Sequence, residues 1–262
     1  MKNIDPSNIC FHLGLEKTGS TFLQHSVFNH LKGVKYHRKS RFRKYQQILE
    51  KDGSGKHLFT FETDREFMPT VDRVAEGLPN AKVIVILRRQ DSWLSSKYNY
   101  HIRKHGYHTL REFFDLQNDR GDWKKDEFYL KPKIDYIESK LEGPILFLNY
   151  HELKQDADAY VKRITDFIGT ELDGKSDIHK PLKPAFSLKQ NRVLMGFNKA
   201  YHYEHLGSNS RFLNKTWYKY REFLLHTVAF LAQFVPQSMV SQEPLIDKAY
   251  LEEVRKYYEE DW

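Results

Sequence analysis

The sequence predicts an α/β fold built on a parallel, doubly wound sheet, because short apolar strands alternate with helical segments up to residue 169. A second observation is the run "KVIVIL" (82–87), which is apolar on both faces, as a central parallel strand is. A third is the turn "GLEKTGST", which joins the first strand to a helix. These features predict a sheet with flanking helices, followed by a helical C-terminal part.

Four apolar runs have the length and the β-branched or aromatic content of strands. In order they cover residues 8–13, 57–61, 82–87 and 144–150. Apolar spacing predicts a helix over residues 20–31, and a second helix is predicted over residues 156–169, with Asp156 at its start and Gly169 as C-cap. Strands that alternate with helices in this way become parallel neighbours in one sheet.

The chain changes character after Gly169. Residues 170–187 are polar, contain prolines and show no period, which predicts a long loop. Helices are predicted at about 191–205, 211–235 and 244–259. The most apolar run, residues 223–235, is too short for a transmembrane span and is interrupted by polar residues. We expect it to be a packed core helix, with an interfacial membrane contact as the alternative.

Composition narrows the class of protein. The chain has 262 residues, a mean hydropathy of −0.71 and 29% charged residues, which predicts a soluble protein with one core. Its single cysteine, Cys10, cannot form an internal disulfide. The N-terminal residues lack the long apolar segment of a signal peptide, so we expect a cytoplasmic location.

The net charge of +7 has a local origin. The segment from Lys32 to Lys44 contains seven Lys or Arg residues and no acid. It is either a solvated loop or an anion-facing surface near a site, and the sequence leaves both interpretations open. Nucleic acid is not expected as a partner, because no zinc-ligand spacing, RNA-binding aromatic pattern or helix-turn-helix signal accompanies it.

The glycine turn resembles a phosphate-binding loop with one residue displaced. Gly14 and Gly19 keep the usual spacing, but Ser20 stands where nucleotide kinases have lysine, and the lysine is Lys17, inside the loop. Backbone N–H groups at a strand-to-helix turn favour an anion wherever the lysine lies. The spacing therefore predicts an anion site that suits a short anhydride better than a magnesium-bound triphosphate.

A second stretch adds a group for another phosphate. Arg88 follows the buried strand 82–87, and Ser96 lies eight residues later on a predicted helix. A guanidinium at the carboxyl edge of a parallel strand and a nearby hydroxyl can bind one phosphate together.

With both motifs in order, the sequence resembles the sulfotransferases that use 3′-phosphoadenosine-5′-phosphosulfate (PAPS), especially the bacterial and carbohydrate-type branches. The resemblance covers most of residues 8–169 and implies a P-loop-like fold, with a single domain over 1–262 whose donor-binding core is 8–169. Its 5′-phosphosulfate loop is matched by Lys17, Thr18, Gly19, Ser20 and Thr21, and its 3′-phosphate pair by Arg88 and Ser96.

The resemblance also implies roles in the reaction. Lys17 would meet the bridging oxygen as the sulfuryl group leaves, and a glutamate after the strand 57–61, Glu62, would be the general base. Glu16 and His12 compete for the role of base, whereas His101 and His105 are expected to face solvent.

The adenine side is predicted less directly. The resemblance places a late basic loop over the nucleotide, and residues 183–192 are the natural segment, with Lys189 or Arg192 as the cation and Phe186 as a stacking face. Ser187 and Gln190 in the same segment also match a helix capping box.

The predicted activity is transfer of a sulfuryl group from PAPS to a hydroxyl or amine, with PAP as product and no metal. The acceptor implied is a carbohydrate or glycolipid, which could be acidic; the oligomeric state is not predicted. A nucleotide kinase and a non-catalytic glycan-binding protein are the alternatives. A kinase would require magnesium, and Lys17 is wrongly placed for it.

Overall fold

The computed structural model describes residues 4–104, 106–179, 186–201 and 210–262. These residues form two compact units. The sheet unit lies within residues 1–89, 127–182 and 258–262, and the helical unit within 90–126 and 183–257. His105 and parts of two predicted segments, residues 180–185 and 202–205, lie outside the described residues.

The sheet unit holds a five-stranded, all-parallel sheet with the strand order β2-β3-β1-β4-β5. The strands are β1 (Ile9–Gly14), β2 (Val34–His37), β3 (Lys56–Glu62), β4 (Lys82–Leu87) and β5 (Ile145–Asn149). All five carboxyl ends therefore lie at the same edge of the sheet. The predicted fold class is confirmed.

Helices connect and follow these strands. They are α1 (Ser20–Phe22), α2 (Tyr45–Lys51), α3 (Phe67–Gly77), α4 (Gln90–Arg103), α5 (Leu110–Phe113), α6 (Lys125–Phe128), α7 (Lys131–Lys140), α8 (Tyr150–Gln155), α9 (Ala157–Ile168), α10 (Leu188–Ala200), α11 (Arg211–Leu231) and α12 (Lys248–Tyr257). After α1 the chain continues as a π-helix, Leu23–Val27, and a 3₁₀ helix, Phe28–His30.

One strand, β2, was not predicted from the sequence. β2 lies inside the basic segment 32–44, where dense charge hid a short alternation in which Lys35 is exposed while Val34 and Tyr36 are half-buried. Charged residues of this kind are typical of edge strands, because they oppose pairing with another sheet. Residues 39–44 then form a 3₁₀ helix rather than a loop.

The predicted helix signals are confirmed. The side chain of Asp156 caps α9 by accepting a hydrogen bond of 2.9 Å from the amide of Ala159, and Gly169 ends the helix with a φ of 78°. Ser187 and Gln190 form a capping box at the start of α10, which begins earlier than the sequence predicted.

Apolar packing covers both faces of the sheet. On one face, α9 and the turns after β1 bury a cluster that includes Phe28, Ile84 and Ile164. On the other, Phe11 and Phe59 stack across neighbouring strands with ring centroids 5.6 Å apart. This packing holds the strand ends rigidly, which is what a site at the sheet edge requires.

The apolar run 223–235, in the helical unit, is less buried than expected. Residues 223–235 are not a fully packed core helix: α11 buries Leu225 and Ala229, while the Phe223, Phe230 and Phe234 side chains are 60–68% exposed. Within the described residues, no helix is long and apolar enough to cross a membrane.

Candidate active site

The predicted site residues of the sheet unit lie along the carboxyl edge of the sheet. In spatial order, Arg38 follows β2, Glu62 ends β3, the glycine loop follows β1, and Arg88 follows β4. Neighbouring parallel strands are about 4.8 Å apart, so this order places four groups of different chemistry side by side. Gly14 and Glu62 are direct register partners.

The loop after β1 is held closed by its own side chain and backbone. Thr18 is fully buried, and its hydroxyl donates a 2.6 Å hydrogen bond to the carbonyl of Leu15. The carbonyl of Gly19 accepts from the amides of Phe22 and Leu23, which starts the following helix. The Thr18 hydroxyl therefore shapes the loop, so a ligand would meet its backbone rather than its side chain.

Gly14 and Gly19 pack closely against neighbouring side chains at this loop, because they have no Cβ. A Cβ at Gly19, whose φ is 90°, would lie 2.9 Å from the Tyr150 ring. A Cβ at Gly14 would lie 2.9 Å from the His12 ring and 3.2 Å from the Ser20 hydroxyl oxygen. These contacts are shorter than van der Waals distance, so neither position accepts a side chain without movement of its neighbours.

Lys17 has a left-handed backbone conformation, with a φ of 68°, which is strained for a residue with a Cβ. Its carbonyl accepts a 2.5 Å hydrogen bond from Nη1 of Arg88. The Arg88 guanidinium in turn lies 4.3 Å from the centre of the Tyr150 ring. Lys17, Arg88 and Tyr150 thus form one connected wall beside the loop.

Glu62 is half-buried at the end of β3 and accepts a short hydrogen bond from the Gln24 side-chain amide. Burial raises the pKa of Glu62 above its ordinary value, and the charge of Glu16 acts in the same direction. The ammonium groups of Lys39 and Lys17 oppose that rise. A carboxylate with a raised pKa accepts a proton more readily than an exposed one, which suits a general base.

The two competing bases have different environments. His12 is fully buried, and burial lowers its pKa to about 4, so its imidazole is neutral and weakly basic at pH 7. Glu16 lies in the loop, where its amide donates a 2.8 Å hydrogen bond to Asp64. Glu62 combines a position at the sheet edge, in register with Gly14, with a raised pKa.

Ser96 and Lys189 belong to the helical unit. Ser96 lies half-buried in α4, and the Lys189 ammonium donates a 2.9 Å hydrogen bond to the carbonyl of Gln233. Arg192 likewise donates to the carbonyl of Glu243, at 2.6 Å, and Phe186 lies 4.8 Å from the Arg103 guanidinium. Their proposed contacts with the nucleotide rest on the sequence motif.

His101 was expected to face solvent, and that expectation is wrong. Its ring lies against Phe113 and His108, with centroid distances of 4.7 and 5.7 Å, and burial lowers its pKa. Gly106 folds over the ring, which leaves no room there for a Cβ.

Two residues of the edge, Gln24 and Tyr150, were not predicted from the sequence, whereas Arg38 belongs to the basic segment 32–44, for which an anion-facing surface was one of two interpretations. Gln24 carries the hydrogen bond to Glu62, and it sits in a π-helix, a distortion that occurs frequently at functional sites. A polar residue in the apolar pattern of 20–31 was the only sequence signal for it. Tyr150 had no such signal, because its contacts to Gly19 and Arg88 are long-range.

The residues of the loop fit the phosphosulfate end of PAPS. The Ser20 hydroxyl is buried and has no hydrogen-bond partner in the described part of the chain. A buried polar atom without a partner is costly, so the atom points to a ligand that would satisfy it. The glycine cradle and the Lys17 ammonium supply the space and the charge that an anion requires.

Comparison with known proteins identifies one family model, described as the sulfotransferase domain, which matches residues 10–221. A solved sulfotransferase from Alicyclobacillus acidocaldarius is similar with a TM-score of 0.55 and 14% identity, covering 76% of this chain and 94% of that one. Mouse sulfotransferase SULT7A1, solved in complex with PAP, gives a TM-score of 0.43 and 16% identity over 89% of this chain and 90% of its own. No curated protein sequence matches the chain.

Proposed function

Because the chain belongs to the sulfotransferase domain family, we propose that it transfers a sulfuryl group from PAPS to a hydroxyl of a carbohydrate or glycolipid. The reaction class, PAPS-dependent sulfotransfer, follows from the family, and the acceptor and the roles of individual residues are our proposal. The observation that carries these roles is the order of Glu62, the Lys17 loop and Arg88 along one sheet edge.

The loop would hold the 5′-phosphosulfate. The backbone of Thr18 and Gly19 and the hydroxyls of Ser20 and Thr21 supply donors, and Lys17 supplies charge. Arg88 would bind the 3′-phosphate together with Ser96, as the sequence motif implies, with Lys189 toward the adenine. Each of these groups would meet a different part of the nucleotide, and the hydrogen bond from Arg88 to the Lys17 carbonyl connects two of them.

The mechanism follows from the chemistry of the edge groups. PAPS supplies the sulfuryl group and a phosphate leaving group. Glu62 takes the proton of the acceptor hydroxyl as the acceptor oxygen bonds to sulfur, in line with the breaking bond to the bridging oxygen. Lys17 stabilises the negative charge that the departing electron pair leaves on that oxygen. The proposed steps assign no role to a metal ion.

Calorimetric titration with PAP, compared with ATP plus magnesium and with 5′-AMP, tests this proposal. We expect PAP to bind and the other two nucleotides to bind weakly, because only PAP carries the 3′-phosphate that Arg88 would hold. ATP binding that requires magnesium would favour the kinase alternative instead. A radiolabelled PAPS assay with a glycan panel would then identify the acceptor.

The exposed face of α11 favours a second proposal, peripheral contact with an anionic membrane, where a glycolipid acceptor would be found. Phe212, Phe223 and Phe230 are 60–74% exposed and recur at a spacing that puts them on one side of the helix. Lys219 is exposed on the same side of the helix, between Phe212 and Phe223, and Lys215 is exposed at its edge. Exposed aromatic side chains accompanied by cations are typical of helices that lie in the membrane interface.

Flotation with phosphatidylglycerol vesicles, against vesicles of phosphatidylcholine alone, tests this contact. We expect binding only to the anionic vesicles, and its loss in the double variant Phe223→Ser and Phe230→Ser. Tyr257→Ser, which changes an exposed aromatic residue on α12, is the control. If the double variant floats like the original protein, or if it instead changes only the oligomeric state in sedimentation, the membrane proposal is wrong.

A further inference from the structure

Among the residues that the structure describes, some cations of the basic segment 32–44 form ion pairs with acidic residues, and others do not. Lys32 and Lys35 form ion pairs with acidic residues at 3.3 and 2.8 Å, and Arg43 forms a longer one at 3.8 Å. Lys39 and Arg41 are exposed and form no ion pair in the described part of the chain. These two cations follow the end of β2, so protecting the strand edge does not explain them.

Arg38 connects this segment to the proposed base. Its Nη2 donates a 3.4 Å hydrogen bond to the carbonyl of Gln24, whose side chain holds Glu62. The Arg38 guanidinium lies 5.6 Å from the centre of the Tyr36 ring, and the Tyr36 hydroxyl is 3.2 Å from that of Thr60.

The register of the strands places these groups on one face of the sheet. Thr60 and Glu62 are two residues apart on β3, so their side chains point to the same face. The Arg38 guanidinium lies near the Tyr36 ring and donates to the carbonyl of Gln24. The side chains of Tyr36 and Gln24 in turn contact Thr60 and Glu62, so Arg38 lies on that face too. The charge of Lys39 also reaches Glu62, since it opposes the rise in the carboxyl pKa.

The strand order decides which reactant these cations serve. Along the edge, Glu62 lies between the cations that follow β2 and the donor loop that follows β1, and Arg88 lies beyond that loop, after β4. The phosphates of the donor belong to the loop and Arg88, on one side of the base. The acceptor hydroxyl must approach Glu62 from the other side, where Arg38 and Lys39 lie.

We propose that Arg38 and Lys39 bind an anionic group of the acceptor, so that the acceptor is an acidic saccharide carrying a carboxylate or a sulfate ester. The proposal rests on the proposed function, because it takes Glu62 as the base and the β1 loop as the donor site. A group held by these cations positions the neighbouring sugar hydroxyl at Glu62. Neutral saccharides would lack this contact and bind poorly.

Calorimetry with three tetrasaccharides, in the presence of saturating PAP, tests the proposal without requiring turnover. Hyaluronan tetrasaccharide carries carboxylates only, chondroitin sulfate tetrasaccharide also carries sulfate esters, and cellotetraose is neutral. We expect at least one acidic tetrasaccharide to bind and cellotetraose not to bind. Comparison of the two acidic probes tells which anion the cations recognise.

Variants show whether the named residues cause the preference. We expect Lys39→Ala and Arg38→Ala each to weaken binding of the acidic probe about 10-fold, the scale of one lost charge-assisted hydrogen bond. Lys51→Ala, an exposed lysine of α2, is the charge-matched control and should leave binding unchanged.

Equal binding of cellotetraose, no binding of any tetrasaccharide, or unchanged affinity in both variants would overturn the proposal. An equal loss in Lys51→Ala would also overturn it, since the effect would then be one of overall charge. Failure of PAP to bind the original protein would instead contradict the proposed function, so the two failures are distinguishable.

Discussion

The guanidinium of Arg88 donates a 2.5 Å hydrogen bond to the backbone carbonyl of Lys17. The family resemblance assigns Lys17 and Arg88 to different phosphate groups of the donor, and this hydrogen bond links the two residues directly. Because Lys17 has a strained left-handed backbone, this hydrogen bond also helps to hold the lysine in its conformation.

Arg88→Ala should consequently affect both donor binding and turnover. We expect PAP affinity to fall by about 10- to 100-fold, from loss of a charge-assisted contact, and kcat to fall as well because the Lys17 backbone loses its support. Calorimetry with PAP and steady-state kinetics measure the two effects. Arg88→Lys keeps the positive charge but loses the bidentate hydrogen bonding of the guanidinium, so it should keep part of the PAP affinity. A kcat unchanged at saturating PAPS would contradict the coupling.

Lys17→Ala should act mainly on the chemical step. We expect kcat to fall by about 100- to 1,000-fold, the scale for loss of one group that stabilises transition-state charge, while PAP affinity changes much less. Rapid-quench transfer from radiolabelled PAPS measures the step directly. An affinity loss as large as that of Arg88→Ala, with no separate effect on kcat, would refute the role given to Lys17.

Glu62→Gln tests the general base. We expect transfer to fall by about 100- to 10,000-fold with PAP binding retained. In the original protein, activity should rise with pH through the raised pKa of Glu62, since the base must be deprotonated. The residual activity of the variant should not show this increase with pH. If His12 is the base, Glu62→Gln will keep the increase and His12→Asn will remove it.

The same substitution should have a defined effect on stability. Because the folded-state pKa of Glu62 is raised, the folded protein binds the carboxyl proton more tightly than the unfolded chain does. Ionisation at neutral pH therefore disfavours folding. Glu62→Gln should raise the melting temperature at pH 7.5, and this gain should shrink as the pH falls through the raised pKa of Glu62 and vanish below the ordinary carboxyl pKa. A lower melting temperature at pH 7.5 would contradict this account.

Gly19→Ala should disrupt the donor loop more than its backbone strain alone would. Its Cβ would meet the Tyr150 ring at 2.9 Å, in addition to the penalty for a φ of 90°. Gly33→Ala is the matched control, since Gly33 also has a positive φ, at 67°, but a Cβ there would have no neighbouring atom within 4 Å. We expect both variants to lose about 1 kcal/mol of stability from strain, and only Gly19→Ala to lose PAP affinity.

Acid should destabilise the sheet unit through its buried histidines. Nε2 of His37 and Nδ1 of His57 are 3.1 Å apart; burial lowers the pKa of His37 to about 4 and also lowers that of His57. The unfolded chain binds more protons than the folded one between about pH 6.5 and pH 4, so stability falls as the pH decreases through that window.

Urea unfolding at pH 5 and pH 7.5 measures this dependence. His37→Phe should reduce the difference between the two values, because it removes one of the titrating groups and keeps a ring that can stack on Phe59. The control is His25→Asn, which changes an exposed histidine. An unchanged pH dependence in His37→Phe would show that other groups cause it.

The sequence alone determined the fold class, four of the five strands and the glycine loop, because these depend on local patterns. Apolar periodicity, the spacing of Gly14 and Gly19, and the caps of α9 are all contained within short stretches of chain. β2 was not predicted, because its charged residues, which suit an edge strand, masked its alternation of buried and exposed positions. The exposed face of α11 was not predicted either, because hydropathy does not show which side of a helix packs against other residues.

Only the tertiary structure decided how the site residues relate to one another. The strand order that sets Arg38, Glu62, the Lys17 loop and Arg88 side by side comes from parallel pairing between segments far apart in the chain. The contacts of Gln24 with Glu62 and of Tyr150 with Gly19 and Arg88 arise in the same way. The raised pKa of Glu62 likewise depends on burial, which packing produces and no local sequence pattern records.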